Sequence, residues 1–163
     1  MSPNPEKILV LVRHAHRDTT SRKADNGLSN KGQKQALEIK KELASKFMNE
    51  APLLVSSPKL RCIETLEPLA EALGKKVKSN DLLDEAAPDE STSELIGRIQ
   101  EFLDWWKTKA PKVTVACSHG DWLPEAYGLL TGKQMDLTKG SWALLALYSG
   151  KVHRQESSAN RDH

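Results

Sequence analysis

Residues 7–12 read Lys-Ile-Leu-Val-Leu-Val and are followed directly by Arg13 and His14. The run is continuously apolar and rich in β-branched side chains, which is typical of a strand covered on both faces in a parallel sheet. We therefore predict that this segment is a central strand. Helices must lie on both sides of the sheet, because each apolar face of such a strand has to be covered.

Strands and helices alternate along the rest of the chain. Further strands are predicted at 52–56, 76–78, 112–117 and 142–148, and 151–154 is expected to pair with the last of them. Helices are predicted from residue 29 or 30 to 48, from Pro58 toward Gly74, from a capping box formed by Ser91 and Glu94, and from 122 to 130. This alternation predicts an α/β fold: a three-layer α/β/α sandwich with a mostly parallel central sheet.

Two local features modify this expectation. Pro68 lies inside the second helix, where it removes a backbone donor, and we expect a kink or a break near residues 64–67. The last residues, about 155–163, are polar and are expected to be frayed.

The length and composition indicate a single domain, residues 1–163, in a cytoplasmic protein. The 163 residues are 38% hydrophobic and 28% charged, with a net charge of +2. Because the charges are mixed, the chain lacks the basic stripe of a nucleic-acid-binding protein. No apolar run approaches the roughly 20 residues of a membrane helix, so neither nucleic acid nor membrane is expected as a partner. Cys62 and Cys117 have no metal-binding or redox spacing.

Polar and charged side chains follow four of the predicted strands, at the point where each strand ends. Ligands of open α/β sheets bind beyond the carboxyl ends of the strands. The groups that should converge there are Arg13 with His14, Ser57 with Arg61, Asp84 with Glu85, and Ser118 with His119. Arginines and histidines around one point form a cationic pocket suited to a phosphoryl group, whose oxygens match the forked guanidinium donors.

The same segments resemble the conserved blocks of the histidine phosphatase (phosphoglycerate-mutase-like) superfamily, in the same order. The blocks are Leu11-Val-Arg-His-Ala15, Leu28-Ser-Asn-Lys-Gly32, Ser56-Ser-Pro-Lys-Leu-Arg-Cys-Ile-Glu-Thr65 and Ser118-His-Gly120. The short chain, the Arg-His-Ala-His opening and Leu83-Asp-Glu-Ala-Ala-Pro88 most resemble the SixA-type phosphohistidine phosphatases. Ala15 departs from the glycine usual in the family.

The resemblance implies a phosphoric monoester hydrolase that needs no cofactor or metal. His14 would be the nucleophile, and Arg13, Arg61 and a protonated His119 would bind the phosphoryl oxygens. Glu85 would act as general acid and then general base, with Asp84 and Asp121 as alternatives. The gathered cations should lower the pKa of His14. The substrate would be a phosphorylated small molecule or a phosphoprotein, phosphohistidine proteins included.

Other functions remain open. The same phosphohistidine could return its phosphoryl group to a second hydroxyl, as in a mutase. His14, His16 and Asp18 form a His-x-His-x-Asp pattern that also resembles the metal-dependent hydrolases, although a third histidine is missing from its place. A phospho-ligand binding module without catalysis is the third alternative.

Overall fold

The computed structural model describes residues 4–20 and 24–160, which form six strands and four α-helices. In chain order these are β1 (Lys7–Arg13), α1 (Asn30–Phe47), β2 (Leu53–Ser56), α2 (Leu60–Leu73), β3 (Val77–Ser79), α3 (Thr92–Thr108), β4 (Val113–Ser118), α4 (Leu123–Thr131), β5 (Trp142–Tyr148) and β6 (Lys151–Ser157). A short 3₁₀ turn, Asp81–Leu83, lies between β3 and α3. The predicted order of elements is confirmed.

The strands form one mixed sheet in the order β3-β2-β4-β1-β5-β6. Strands β3, β2, β4 and β1 are mutually parallel, whereas β5 is antiparallel to both of its neighbours. The first strand therefore lies inside the sheet, between β4 and β5, as its two-sided apolar sequence predicts. The four parallel strands end at the same edge, which places the loops that follow them side by side.

Alternate residues of β1 enter the two halves of the core. Leu9 and Leu11 pack with side chains of α3 and α4, while Val10 and Val12 pack with side chains of α1 and α2. All four are fully buried. Because the side chains of a strand alternate between faces, this division means that helices cover the sheet on both sides. The three-layer sandwich is confirmed.

Two predicted helix starts are stabilised by side chains in the expected way. Ser29 Oγ accepts a hydrogen bond of 3.1 Å from Gly32 N at the start of α1. Ser91 and Glu94 form a reciprocal capping box at α3: the Ser91 hydroxyl accepts from Glu94 N at 3.1 Å, and the Glu94 carboxylate accepts from Ser91 N at 2.9 Å. These bonds satisfy backbone donors that have no partner within the helix.

Two local expectations differ from the structure. The break expected at Pro68 is absent: the helix runs from Leu60 to Leu73, and Leu66 and Leu69 on its inner face are fully buried in the core on either side of the proline. The tail is also more ordered than expected: residues 155–157 belong to β6, and Ser158 N donates to Trp142 O at 3.0 Å. Residues 161–163 lie outside the described part of the chain. No helix within 4–20 and 24–160 is long and apolar enough to cross a membrane.

Candidate active site

The ends of β1, β2 and β4 bring the two predicted site histidines together. Arg13 is in register with Ser118, and His14 N donates to Ser118 O at 3.1 Å. The rings of His14 and His119 consequently lie 5.4 Å apart, centroid to centroid. Both are buried, with 6% and 3% of their surface exposed. The order of the strands alone would not fix this contact, because the loops could still point the rings apart.

The backbone holds the ring of His14 in one tautomer. Its Nδ1 lies 2.8 Å from the carbonyl oxygen of Ala15. Because a carbonyl only accepts hydrogen bonds, Nδ1 carries the proton and Nε2 keeps a free lone pair. The pKa of His14 is lowered to about 4, chiefly by burial and secondarily by the positive charges of Arg61, Arg13 and Lys139. The predicted direction is correct, but burial is a larger cause than the cations. At neutral pH His14 is a neutral ring with an available nitrogen.

His119 is held in the opposite tautomer. Arg61 Nη2 lies 3.3 Å from His119 Nδ1, and a guanidinium only donates, so Nδ1 is the acceptor. The proton is then on Nε2, which lies 2.7 Å from the hydroxyl oxygen of Ser57. Burial and the charge of Arg61 lower the pKa of His119 to about 2. The ring is neutral in this arrangement, and its protonation with a phosphoryl group bound stays a prediction.

Both predicted arginines have guanidinium groups at the site. Arg61 is 4% exposed. Arg13 is anchored by a bond of 3.0 Å from Nη1 to the carbonyl oxygen of Leu137. Gly120 leaves room for this group, because a Cβ at position 120 would lie 2.8 Å from Arg13 Nη2. The Nε atoms of both arginines are buried and have no hydrogen-bond partner within the described residues. Such donors match an acceptor-rich ligand.

Of the three acidic candidates, Glu85 makes the most direct contact with the site. Its Oε2 accepts from Arg61 Nη2 at 2.6 Å and lies 3.8 Å from His119 Nδ1, while 39% of its side chain is exposed. Asp84 Oδ1 accepts from Glu85 N at 2.8 Å and lies 3.9 Å from His119 Nε2. Asp121 Oδ2 accepts from Ala86 N at 2.9 Å. Both aspartates therefore support the loop around Glu85, which alone contacts Arg61 and also reaches solvent.

Arg98 fastens this loop to α3, which the sequence did not indicate. Its Nη1 donates to the carbonyl oxygens of Leu82 and Asp84 at 3.0 and 3.2 Å, and its Nη2 donates to that of Glu85 at 3.3 Å. Glu90 holds the guanidinium in place, with Nε and Nη2 at 2.7 and 2.8 Å from its carboxylate oxygens. The carboxylate raises the pKa of Arg98. The loop that carries Glu85 is thus bonded along its backbone to one side chain.

Thr65 is a further site residue that sequence reasoning missed, and Lys139 lies beside the site. The Thr65 hydroxyl accepts from Ala15 N at 2.9 Å and donates to Arg61 O at 2.6 Å, so it joins the loop of His14 to α2. Its position four residues after Arg61, on the same helix face, could have indicated this role. Lys139 lowers the pKa of His14 from a loop that follows α4, where no motif marks it.

The metal-dependent alternative requires ligands that the structure does not bring together. Within 4–20 and 24–160, no group of three or more His, Cys, Asp or Glu side chains is placed to hold a metal ion. Asp18 Oδ1 instead accepts from the backbone N and the hydroxyl of Thr20, at 2.9 and 2.5 Å. The His14, His16 and Asp18 pattern therefore does not form a ligand cluster.

Comparison with known proteins identifies the family. Residues 9–90 match the model of the histidine phosphatase superfamily (branch 1), and the chain belongs to this superfamily. The matched span contains Arg13, His14, Arg61 and Glu85, whereas His119 lies beyond it. No curated protein sequence matches the chain.

Solved structures show the same fold at low sequence identity. A mycobacterial glucosyl-3-phosphoglycerate phosphatase in complex with inorganic phosphate aligns with a TM-score of 0.75 at 18% identity, over 94% of this chain and 98% of that one. A phosphoserine phosphatase from Entamoeba histolytica aligns with a TM-score of 0.75 at 18% identity, over 95% and 98%. The putative phosphohistidine phosphatase SixA from Agrobacterium tumefaciens gives 0.68 at 18%, over 94% and 99%.

Proposed function

We propose that this protein is a metal-independent phosphatase that transfers a phosphoryl group to His14 and then to water. The observation that carries the proposal is the buried pair of imidazoles, 5.4 Å apart, with Arg61 bonded to both His119 and Glu85. An uncharged ring with a free Nε2 is a nucleophile, and the surrounding guanidinium groups favour an anionic substrate. The proteins of similar fold that are named as phosphatases support the same reaction class.

In the first step, His14 Nε2 forms a bond to phosphorus while the bond to the leaving oxygen breaks. Glu85 in its acid form protonates that oxygen as it leaves. Arg13, Arg61 and His119 bind the three equatorial oxygens and stabilise their charge in the transition state. The two guanidinium groups supply the countercharge that a metal ion provides in other phosphatases, so the proposed reaction needs no metal ion.

In the second step, water attacks phosphorus and the bond from phosphorus to His14 breaks. Glu85, now a carboxylate, accepts the proton of the attacking water and returns to its acid form. The exposed part of Glu85 puts this group within reach of solvent. Access of solvent to Glu85 favours water as the acceptor of the phosphoryl group, and we therefore propose hydrolysis rather than mutase transfer.

The substrate class that we propose is a phosphorylated small molecule or a phosphohistidine protein in the cytoplasm. The structures of similar fold include one named as a glucosyl-3-phosphoglycerate phosphatase and one named as a putative phosphohistidine phosphatase, which supports both kinds of substrate as candidates. Cys62 and Cys117 are free and buried, which fits a reducing compartment.

A phosphoryl-enzyme trap tests the proposal. The wild-type chain, His14→Ala and the matched control His153→Ala, which alters an exposed histidine of β6, are mixed with labelled phosphoryl donors and quenched with alkali. We expect an acid-labile, alkali-stable label on the peptide containing His14 in wild type and in His153→Ala, and none in His14→Ala. Unlabelled protein with unchanged donor would instead support the binding module.

Two further arms separate the remaining alternatives. Hydrolysis in ¹⁸O-labelled water should put ¹⁸O into the released phosphate, whereas a mutase would return the phosphoryl group to an organic hydroxyl. Activity should be unaffected by a chelator. Abolition of activity by the chelator, with recovery on adding a divalent metal ion, would contradict the metal-independent mechanism.

A further inference from the structure

A second group of positive side chains lies beside the phosphoryl pocket and has no role in the proposed mechanism. It consists of His16, Arg17, Lys31 and Lys139, which we call the cationic rim. All four residues are partly buried rather than extended into solvent. They come from separate segments: the loop after β1, the first turn of α1 and the loop before β5. Bringing like charges together and burying them partly costs free energy, so we expect a function that explains this cluster.

Backbone contacts fix the loop before β5 against the end of β1. Gly140 N lies 3.1 Å from Arg13 O and 3.2 Å from His14 O, so Lys139 precedes a residue that is bonded to both site residues. Gly140 has a φ of +77°, and a Cβ there would lie 2.9 Å from the Cβ of Gln35 in α1. The loop is therefore clamped between β1 and α1.

The start of α1 is bonded to the same place. Ser29, the residue that caps α1, donates from its backbone N to His16 O at 3.1 Å, and its hydroxyl lies 2.7 Å from His16 Nδ1. Lys31 lies in the first helical turn, which contains no acidic residue. Arg17 forms a β-bridge with Leu28 on the approach to this helix. Hydrogen bonds of the backbone therefore hold the segments that carry the rim residues against one another.

The positive charges of the rim act on one another. Burial lowers the pKa of Lys139, and the positive charges of Arg13, Arg17, Lys31 and Arg61 lower it further. Burial, Lys139 and Lys31 lower the pKa of His16. Neither Lys31 nor Lys139 forms an ion pair with a carboxylate in the described part of the chain. Like charges held together in this way favour binding of an anion.

The phosphoryl group does not need these charges, because Arg13 and Arg61 already balance a dianion. We propose that the cationic rim binds a second anionic group of the substrate, a carboxylate or a further phosphate carried by the same small molecule. The inference rests on the proposed function for the position of the phosphoryl group. Within that function, the inference favours small substrates that carry a second anionic group over phosphomonoesters whose phosphoryl group is their only charge.

Equilibrium binding of inert analogues tests the proposal without turnover. Methylphosphonate carries one anionic group, phosphonoacetate adds a carboxylate, and methylenediphosphonate adds a second phosphonate. Their affinities for the full chain are measured by isothermal titration calorimetry at one fixed ionic strength, because screening by salt weakens all such contacts. The variants are Lys139→Met and Lys31→Met. Lys112→Met is the control, because it removes one exposed lysine at the opposite edge of the sheet.

We expect the wild type to bind at least one of the two larger anions about 10-fold more tightly than methylphosphonate, as one added charge-assisted contact allows. Lys139→Met and Lys31→Met should each remove most of this preference and change the affinity for methylphosphonate by less than about 3-fold. The control Lys112→Met should keep the preference. A gain for phosphonoacetate indicates a carboxylate, and a gain for methylenediphosphonate a second phosphate.

Two outcomes would overturn the inference: no preference in the wild type, or an equal loss of affinity for all three anions in Lys139→Met. The second would mean that the rim serves the phosphoryl group alone. Neither depends on catalysis. A chain that shows the preference but forms no phosphohistidine refutes the proposed reaction and leaves the rim in place, and the converse result refutes the rim alone.

Discussion

Replacing Arg98 with methionine should slow the proposed reaction, because Arg98 holds the loop that carries Glu85. The side chain holds the backbone of the loop that carries Glu85, with bonds to the carbonyl oxygens of Leu82, Asp84 and Glu85. Without it, these carbonyls must turn to solvent and the loop gains freedom. Methionine keeps the apolar part of the side chain and removes only the donors, so the loss reports on the bonds rather than on packing.

The size of the rate loss follows from the hydrogen bonds that the loop keeps without Arg98. General acid catalysis is worth about 10²–10⁴-fold, so Glu85→Gln should cost about that much when the leaving group needs a proton. Arg98→Met should cost less, about 10-fold, because the loop keeps two other bonds: Ala86 N donates to the Asp121 carboxylate, and Ser118 Oγ donates to Leu83 O. The free energy of unfolding should fall by about 1 kcal/mol, since water replaces the lost donor at a partly exposed site.

The assay compares two leaving groups. An alkyl phosphate needs protonation of its leaving oxygen, whereas a dinitrophenyl phosphate departs as the anion. Arg98→Met should lower kcat for the alkyl phosphate and leave the dinitrophenyl phosphate nearly unchanged, and it should add little to Glu85→Gln in the double variant. Lys107→Met, which removes one exposed charge from the same helix, is the control, and Arg98→Lys should restore part of the rate. Equal losses for both leaving groups would refute a positioning role.

Three further changes test other parts of the site. Thr65→Val should lower the free energy of unfolding by about 1–3 kcal/mol, because it leaves the backbone N–H of Ala15 buried without an acceptor, whereas Thr65→Ser should retain most of it; urea titration measures both. Gly120→Ala should reduce kcat/KM for any phosphomonoester, because its Cβ would meet Arg13 Nη2 at 2.8 Å; unchanged kinetics would mean that this guanidinium can shift freely. The pKa of His14 is lowered from 6.5 to about 4, so between these pH values the unfolded chain binds more protons than the folded chain. The free energy of unfolding should therefore fall, by up to about 3 kcal/mol, as the pH drops through this window. His14→Gln should flatten the dependence of Tm on pH there, and an unchanged slope would contradict the buried, neutral ring.

Much of the site could be predicted because parallel strands place their carboxyl ends at one edge of the sheet. His14 and His119 directly follow β1 and β4, which are neighbours, so the strand order places the two residues at the same edge of the sheet, although it does not fix the orientation of their rings. Arg61 lies in the first turn of α2, directly beyond the end of β2. For these residues, the side chain and the element that positions it are adjacent in sequence.

Other parts of the site depend on contacts that no local pattern encodes. Arg98 lies on α3 and acts through the carbonyl groups of a loop 13 to 16 residues earlier, and a backbone carbonyl leaves no mark in the sequence. Lys139 lies beside the pocket because Gly140 is bonded to the end of β1, a contact between positions 127 residues apart. The break expected at Pro68 is absent for a related reason: the helix face around the proline is buried in the core, which no local pattern at Pro68 indicates.

Ala15, which follows the proposed nucleophile, stands where the sequence resemblance leads us to expect glycine. The peptide at Ala15 is fixed on both sides, since its N–H donates to Thr65 and its carbonyl accepts from His14 Nδ1. Glycine is needed where the backbone has a positive φ or where a Cβ has no room. Ala15 has no positive φ, and its methyl group is fully buried in a small apolar cluster with Leu28 and Ala36. Compared with glycine, alanine therefore lowers the conformational entropy of the unfolded chain without straining the folded one. This favours the backbone conformation in which the Ala15 carbonyl accepts from His14 Nδ1.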